Sequence, residues 1–149
     1  SGLTNIDASL LTNLSTIDVD NMSNLESLNM SNTKVTILDV STLTELSALE
    51  AKNCTALTSL TLTDSNAFTD LDISDCTNIT EIDISTCKSL VNLNVSGTAI
   101  IALEANQSLY METVDASDCT SLEALVMDQT SNNNLTSVDV SGCTSMMYL

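Results

Sequence analysis

The feature that most constrains the fold of this chain is an internal repeat of about eleven residues that runs through all 149 residues. Each unit has the form L-x-x-L-x-V, in which the first, fourth and sixth positions are apolar. The units begin at Leu3, Leu14, Leu25, Val35, Leu46, Leu57, Phe68, Ile79, Leu90, Ile100, Met111, Leu122, Leu135 and Met146. Such a period predicts a repeat architecture, in which each unit buries its apolar face against its neighbours.

Each unit is predicted to be one short strand followed by a turn. The apolar fourth and sixth positions flank a polar fifth position, as in Leu71, Asp72 and Ile73, and this is the period of a strand with one buried face. The next five positions are rich in Ser, Thr, Asn, Asp and Gly, which are turn residues. Because eleven residues leave no space for an ordinary helix, the returning arm should be another short strand, with at most a 3₁₀ turn.

Two units then make one coil of 21 to 24 residues, and residues 1–149 are predicted to form a single domain of about seven coils. Alternate units should build two parallel sheets around a dry core, in a gently curved all-β solenoid with little or no helix. We call the two sets of units the first arm and the second arm. The first arm begins with the units at Leu3, Leu25, Leu46, Phe68, Leu90, Met111 and Leu135. The second arm has the remaining seven units.

Several segments resemble bacterial leucine-rich repeats of the internalin type, in the subclass with cysteines inside repeats of 21–22 residues. They are LDVSTLTELSALEAKNC (38–54), LDISDCTNITEIDIS (71–85) and LTSVDVSGCTS (135–145), and the resemblance covers almost the whole chain. It implies a leucine-rich-repeat solenoid with the first arm as its concave sheet. It also implies a secreted or surface-anchored protein that acts as an adhesin or binding scaffold, although a fold of this kind constrains function only weakly.

The composition argues against several classes of partner and activity. Twenty acidic residues stand against three lysines, and the formal net charge of −17 would repel nucleic acid and anionic membranes. No uninterrupted apolar run is long enough to insert into a membrane. The chain has no His and no nucleophile or phosphate-loop motif, so we expect no enzyme activity, no catalytic residues and no cofactor.

The polar fifth position forms a column on the outer face of each sheet. On the first arm it reads Asp7, Asn29, Glu50, Asp72, Asn94, Asp115 and Asp139. This column could be a surface for a basic partner or divalent cations, or it could keep an uncovered sheet soluble. No metal site is predicted, because calcium needs six to eight converging oxygens. Like charges one coil apart should raise the pKa of inner carboxyl groups, such as that of Asp83 on the second arm.

Two functions remain open. The first is a non-enzymatic protein-binding or adhesion module, outside the cell or on its surface, which presents an acidic face to a protein partner that could itself be basic. Its predicted binding patch is Asp70, Asp72, Asn92, Asn94, Thr113 and Asp115. The alternative is a structural spacer or stalk within a larger surface protein. The nearly uniform fifth position favours the spacer, and the variable third position favours the binding module.

The five cysteines all occupy the ninth position of their units, where other units have Met, Leu or Thr. They are Cys54, Cys76, Cys87, Cys119 and Cys143. We predict buried, reduced thiols, with Cys54 stacked on Cys76 and Cys119 on Cys143. Zinc ligation is not expected, because the spacing provides no C-x-x-C pair.

Two irregularities complete the pattern. Both termini fall inside the repeat, and 146–149 are apolar, so we expect either a fragment of a longer repeat or multidomain surface protein or self-association through the solenoid ends. The unit at Leu122 is two residues longer than the usual spacing of eleven. Its excess lies within Asn132–Asn134 and is predicted to bulge out as a loop, where a partner could bind.

Overall fold

The structure is a computed structural model that describes residues 2–106, 108–127 and 134–148. In these ranges the chain forms eleven short strands and no helix, and so no segment there is a helix that could cross a membrane. The strands are β1 (Asn5–Asp7), β2 (Ser27–Asn29), β3 (Ile37–Asp39), β4 (Ala48–Glu50), β5 (Ser59–Thr61), β6 (Asp70–Asp72), β7 (Asn92–Asn94), β8 (Ala102–Glu104), β9 (Thr113–Asp115), β10 (Ala124–Val126) and β11 (Ser137–Asp139).

Seven of these strands form one parallel sheet in the order β1-β2-β4-β6-β7-β9-β11. These are all seven strands predicted for the first arm, and they pair position by position: Leu49 lies opposite Leu71, which lies opposite Leu93. Neighbours in this sheet are one coil apart, so six turns of the solenoid separate β1 from β11. The predicted leucine-rich-repeat solenoid is therefore confirmed.

The second arm is less regular than the first. It holds two separate two-stranded sheets, β3-β5 and β8-β10, where the sequence predicted one continuous sheet. Between them, residues 81–83 form no strand and make no backbone hydrogen bond with β5 or β8. In a curved solenoid the coils are closer on the inner side than on the outer side. An unbroken first arm and a broken second arm are what a solenoid with the first arm on its inner side would have, and that placement stays a prediction.

The core runs along the solenoid axis between the two arms. It is built from the first, fourth and sixth positions of the repeat, as Phe68, Leu71 and Ile73 show with at most 1% of their surface exposed. Burial of this kind contributes about 25 cal/mol for each Å² of apolar surface removed from water. Towards the two ends of the chain the same positions are only partly covered, as at Ile6 and Val138.

The turns after β2, β4, β6, β7, β9 and β11 have a left-handed backbone at the eighth position of the unit. The residues there with positive φ are Asn32, Asn53, Asp75, Gly97, Asp118 and Gly142. Only Gly, Asn and Asp occur, because these residues tolerate this conformation best. A glycine also follows each aspartate one coil later: a Cβ atom on Gly97 would lie 2.6 Å from Oδ1 of Asp75, and one on Gly142 would contact Oδ1 of Asp118.

We predict that Gly97→Ala lowers the free energy of unfolding by about 1–3 kcal/mol, because alanine is strained at this φ and its Cβ meets Asp75. In an Asp75→Ala background the cost should be smaller, since the contact is gone while the backbone strain remains. Gly2→Ala is the matched control, because nothing lies within 4 Å of the added Cβ. Urea unfolding of the four variants measures this coupling, and strictly additive costs would contradict the contact.

Candidate functional site

The six side chains of the predicted patch lie together on the outer face of the seven-stranded sheet. They come from β6, β7 and β9 and form two columns in register: Asp70, Asn92 and Thr113 in one, and Asp72, Asn94 and Asp115 in the other. With residues of β4 they line a groove of about 300 Å³. We use the names third column and fifth column for these two positions of the repeat in all coils.

The third column is joined by side-chain hydrogen bonds from coil to coil. The amide of Asn92 donates to Oδ1 of Asp70 at 2.7 Å, and the hydroxyl of Thr113 donates to Oδ1 of Asn92 at 2.8 Å. The hydroxyl of Thr69 donates to the other oxygen of Asp70 at 2.6 Å. These bonds fix the orientation of three polar groups across three coils, and none of them closes a turn.

The fifth column has a structural role. The side-chain oxygen of Asp72 accepts a hydrogen bond from the backbone N–H of Ser74 at 3.0 Å, and Asp115 accepts one from Ser117 at 2.9 Å. The same bond, from the residue two positions later, recurs at Asp7, Asp18, Asn29, Asp39, Asp83, Asn94 and Asp139. Each is an Asx turn, and at all of these positions except Asp18 and Asp83 it follows the last residue of a strand.

Sequence reasoning missed this role, although a signal for it was present. The triplet D-x-S or N-x-S recurs at the end of the strand segments, for example at 72–74, 94–96 and 139–141. Asp and Asn share a side-chain oxygen at the same distance from the backbone, which explains why they exchange in this column while Glu and Thr are rare there.

The Asx turns also correct the expectation for the pKa of Asp83. Hydrogen bonds from the hydroxyl and the backbone N–H of Ser85 lower the pKa of Asp83, where charge repulsion was expected to raise it. Asp7 and Asp39 have lowered pKa values for the same reason, through Ser9 and Ser41. The expectation was wrong because hydrogen bonds to the charged form act at contact distance, while water screens the exposed charges one coil away.

Amide and ammonium groups separate several of the acids along the first arm. Glu50 and Asp72 are direct neighbours, and the ammonium of Lys52 lies 3.4 Å from a carboxylate oxygen of each. Asn94 donates to the same oxygen of Asp72 at 3.4 Å. The attraction of Asp72 raises the pKa of Lys52. Lys52 occupies the seventh position, which is Ser in every other first-arm unit, and so places one positive charge between two adjacent acids.

The cysteines are free thiols as predicted, with four of them buried and Cys143 partly exposed. On the first arm, the ninth position reads Leu11, Thr33, Cys54, Cys76, Thr98, Cys119 and Cys143. The thiol of Cys76 donates to the backbone carbonyl of Ala51 at 3.0 Å, and that of Cys119 to Val95 at 3.1 Å. Cys54 and Cys143 make the same bond to the preceding coil, so this column links successive coils inside the turn.

Cys87 stands apart from this column, on the second arm, where burial raises the pKa of its thiol to about 11. Burial also raises the pKa of the Cys143 thiol. Buried thiols with raised pKa values are poor nucleophiles at neutral pH. The described part of the chain holds no group of three or more side chains that could bind a metal ion.

Two predicted features fall partly outside the described residues. Asn132 and Asn133 of the long unit lie outside them, while the amide of Asn134 donates to the carbonyl of Leu109 at 3.4 Å. Leu149 of the apolar terminus also lies outside the described ranges, whereas the side chains of Met147 and Tyr148 are exposed.

We predict that Asp83→Ala destabilises the fold, while Asp83→Asn retains most of the stability, because asparagine accepts the same bond at Asn29 and Asn94. The folded-state pKa of Asp83 is lowered, so its contribution to the free energy of unfolding is fully present above the unfolded-state pKa. This contribution is lost as the pH falls through the folded-state pKa. Melting curves should show a gap between wild type and Asp83→Ala that narrows below about pH 4. A gap that widens in acid would contradict the assignment.

We predict that Lys52→Ser, which restores the residue of the other units, lowers stability by less than about 1 kcal/mol, because the ion pairs are half exposed. The loss should shrink with added salt, which screens the repulsion between Glu50 and Asp72. The folded-state pKa of Lys52 is raised, so its contribution to the free energy of unfolding is fully present below the unfolded-state pKa. This contribution is lost as the pH rises through the folded-state pKa. Lys88→Ser is the control, and an equal loss there would show that only net charge matters.

No family model and no curated protein matches the sequence. Among solved structures, the chain is similar to the functional domain of InlJ from Listeria monocytogenes, which is described as including a cysteine ladder. The two share 25% sequence identity with a TM-score of 0.65, over 99% of this chain and 43% of the other. This chain thus spans less than half the length of that neighbour. It has the fold of an internalin-like leucine-rich-repeat solenoid with cysteines within its repeats.

Proposed function

We propose that this chain is a non-enzymatic, adhesion-type module that binds a partner protein through the groove of its seven-stranded sheet. The observation that carries the proposal is the third column. Asp70, Asn92 and Thr113 differ from coil to coil, are held in one hydrogen-bonded chain and serve no turn. A structural spacer needs the fifth column for its turns. It does not need a third column whose residues differ from coil to coil and are joined by hydrogen bonds.

The charge of the groove favours a basic partner. Asp70, Asp72, Asp115 and Glu50 line the groove, and the chain as a whole has a formal charge of −17. Lys and Arg side chains of a partner would meet carboxylates here, while Asn92 and Thr113 offer neutral hydrogen-bonding groups between them. Charges of this kind act mainly on the rate of association and on partner choice.

The proposed setting is the cell surface or the extracellular space. Its support is the internalin-like character of the repeats, together with the similarity to a Listeria domain over nearly the whole chain. Rigid solenoids suit this setting because they present a long preformed face, so little entropy is lost on binding.

A structural spacer is the second candidate, and the fifth column favours it. The same Asx turn recurs on both arms from Asp7 to Asp139, which is the uniformity expected of a stalk. In that role the acidic groove would only keep the sheet soluble and prevent sheets from stacking.

We predict that the immobilised chain captures a protein from host or bacterial extracts, and that Asn92→Ala weakens the purified complex about tenfold, the effect of truncating one polar group in an interface. Asn5→Ala is the matched control, because it removes the same side chain from the same column at the far end of the sheet. Titration of each variant against the captured protein measures the effect. Equal binding by both variants, or no capture, would favour the spacer.

A further inference from the structure

The second arm carries an exposed apolar surface that the groove does not involve. We call it the apolar stripe, and it consists of Ile101, Ala102, Ala124, Val126 and Tyr148. About half of the surface of Ile101 (48%) and Val126 (44%) is exposed, and 70% of that of Tyr148. The residues lie on adjacent coils, since Ala102 pairs with Ala124, and Ala124 with Tyr148.

One end of the stripe is a depression of about 410 Å³. Ile101 and Ala102 of the stripe line it together with Ile82, a partly buried residue of the core. The depression lies at residues 81–83, which separate the two second-arm sheets and make no backbone hydrogen bond with β8. Ala102 and Ala124 have small side chains and lie between this depression and Tyr148, so the surface stays low there.

The repeat does not require apolar residues on this face. At the second, third and fifth positions of the earlier second-arm units, which the stripe residues occupy in their own units, the chain has Ser15, Thr16, Asp18, Thr36, Asp39, Thr58, Ser59, Thr61, Thr80, Glu81 and Asp83, with Ile37 as the apolar exception. Apolar side chains gathered on one part of an otherwise polar surface are typical of interaction sites. The stripe is therefore a property of these coils and not of the fold.

Acidic side chains border the stripe. Glu81, Asp83, Glu104 and Glu123 are exposed beside it, and none of them forms an ion pair within the described residues. A second copy of this chain would bring the same negative charge to the contact, and an anionic membrane would be repelled in the same way. The surface is complementary to a polypeptide that is both apolar and basic.

We propose that the apolar stripe is a second protein-docking surface, which binds a partner segment in which Lys or Arg residues are interspersed with large aliphatic residues. The aliphatic side chains cover Ile101, Val126 and Tyr148, and the basic groups reach Glu81, Glu104 and Glu123. Because the stripe and the groove lie on different arms, the stripe does not depend on the groove having a partner.

The test uses two synthetic peptides of equal length and charge, one alternating Lys with Leu and the other alternating Lys with Ser. At about 0.15 M salt, which screens long-range attraction, the wild type should bind the Lys-Leu peptide about tenfold more tightly than the Lys-Ser peptide. The double variant Ile101→Ser, Val126→Thr should bind the two peptides about equally. Ile37→Ser is the matched control, because it removes an exposed isoleucine from the same arm outside the stripe.

Tyrosine fluorescence gives a second readout that locates the contact. The chain has two tyrosines and no tryptophan, so in a Tyr110→Phe variant Tyr148 is the single reporter. Its emission should change with the Lys-Leu peptide and stay constant with the Lys-Ser peptide. The proposal is overturned if the wild type shows no preference for the Lys-Leu peptide, if Ile37→Ser abolishes the preference as fully as the double variant, or if Tyr148 does not respond.

Discussion

In-register stacking of the coils on the first arm is the constraint on which the rest of the structure depends. Each residue of β6 lies opposite its equivalents in β4 and β7, so every position of the repeat becomes a column along the solenoid. A side chain must therefore suit the same position in the coils above and below, roughly 4.8 Å away. Core, turn and surface columns all follow from this one condition.

Within the turns, stacking explains choices that look like separate features in the sequence. The carboxylate of Asp75 extends towards the next coil, where an added Cβ would lie 2.6 Å from its Oδ1, and Gly97 is found there. The thiol of Cys76 donates to a carbonyl of the preceding coil, and Thr33 and Thr98 place hydroxyls in the same column. Small polarizable or hydroxylic side chains suit this column because they fill a tight space and still donate a hydrogen bond.

The same stacking creates an electrostatic problem on the outer faces. A repeated acid becomes a row of like charges, and the chain offsets it in two ways. Local hydrogen bonds from the Asx turns stabilise the charged carboxylates, as the lowered pKa of Asp83 shows. Lys52 and Asn94 interrupt the row around Asp72. Parts of the surface then differ only at positions that do not form turns. These are the third column on the first arm and the apolar stripe on the second.

The sequence by itself determined the repeat, the seven strands of the first arm, the buried thiols and the grouping of Asp70, Asn92 and Thr113. It could do so because a fixed period specifies which residues share a column before any contact is known. Only the tertiary structure decided the role of the fifth column, since an aspartate two residues before a serine can face solvent or accept its N–H. It also decided the break at 81–83, because the repeat predicts a strand in every unit, whereas the backbone hydrogen bonds between coils, which 81–83 do not make with β5 or β8, form only in the folded chain.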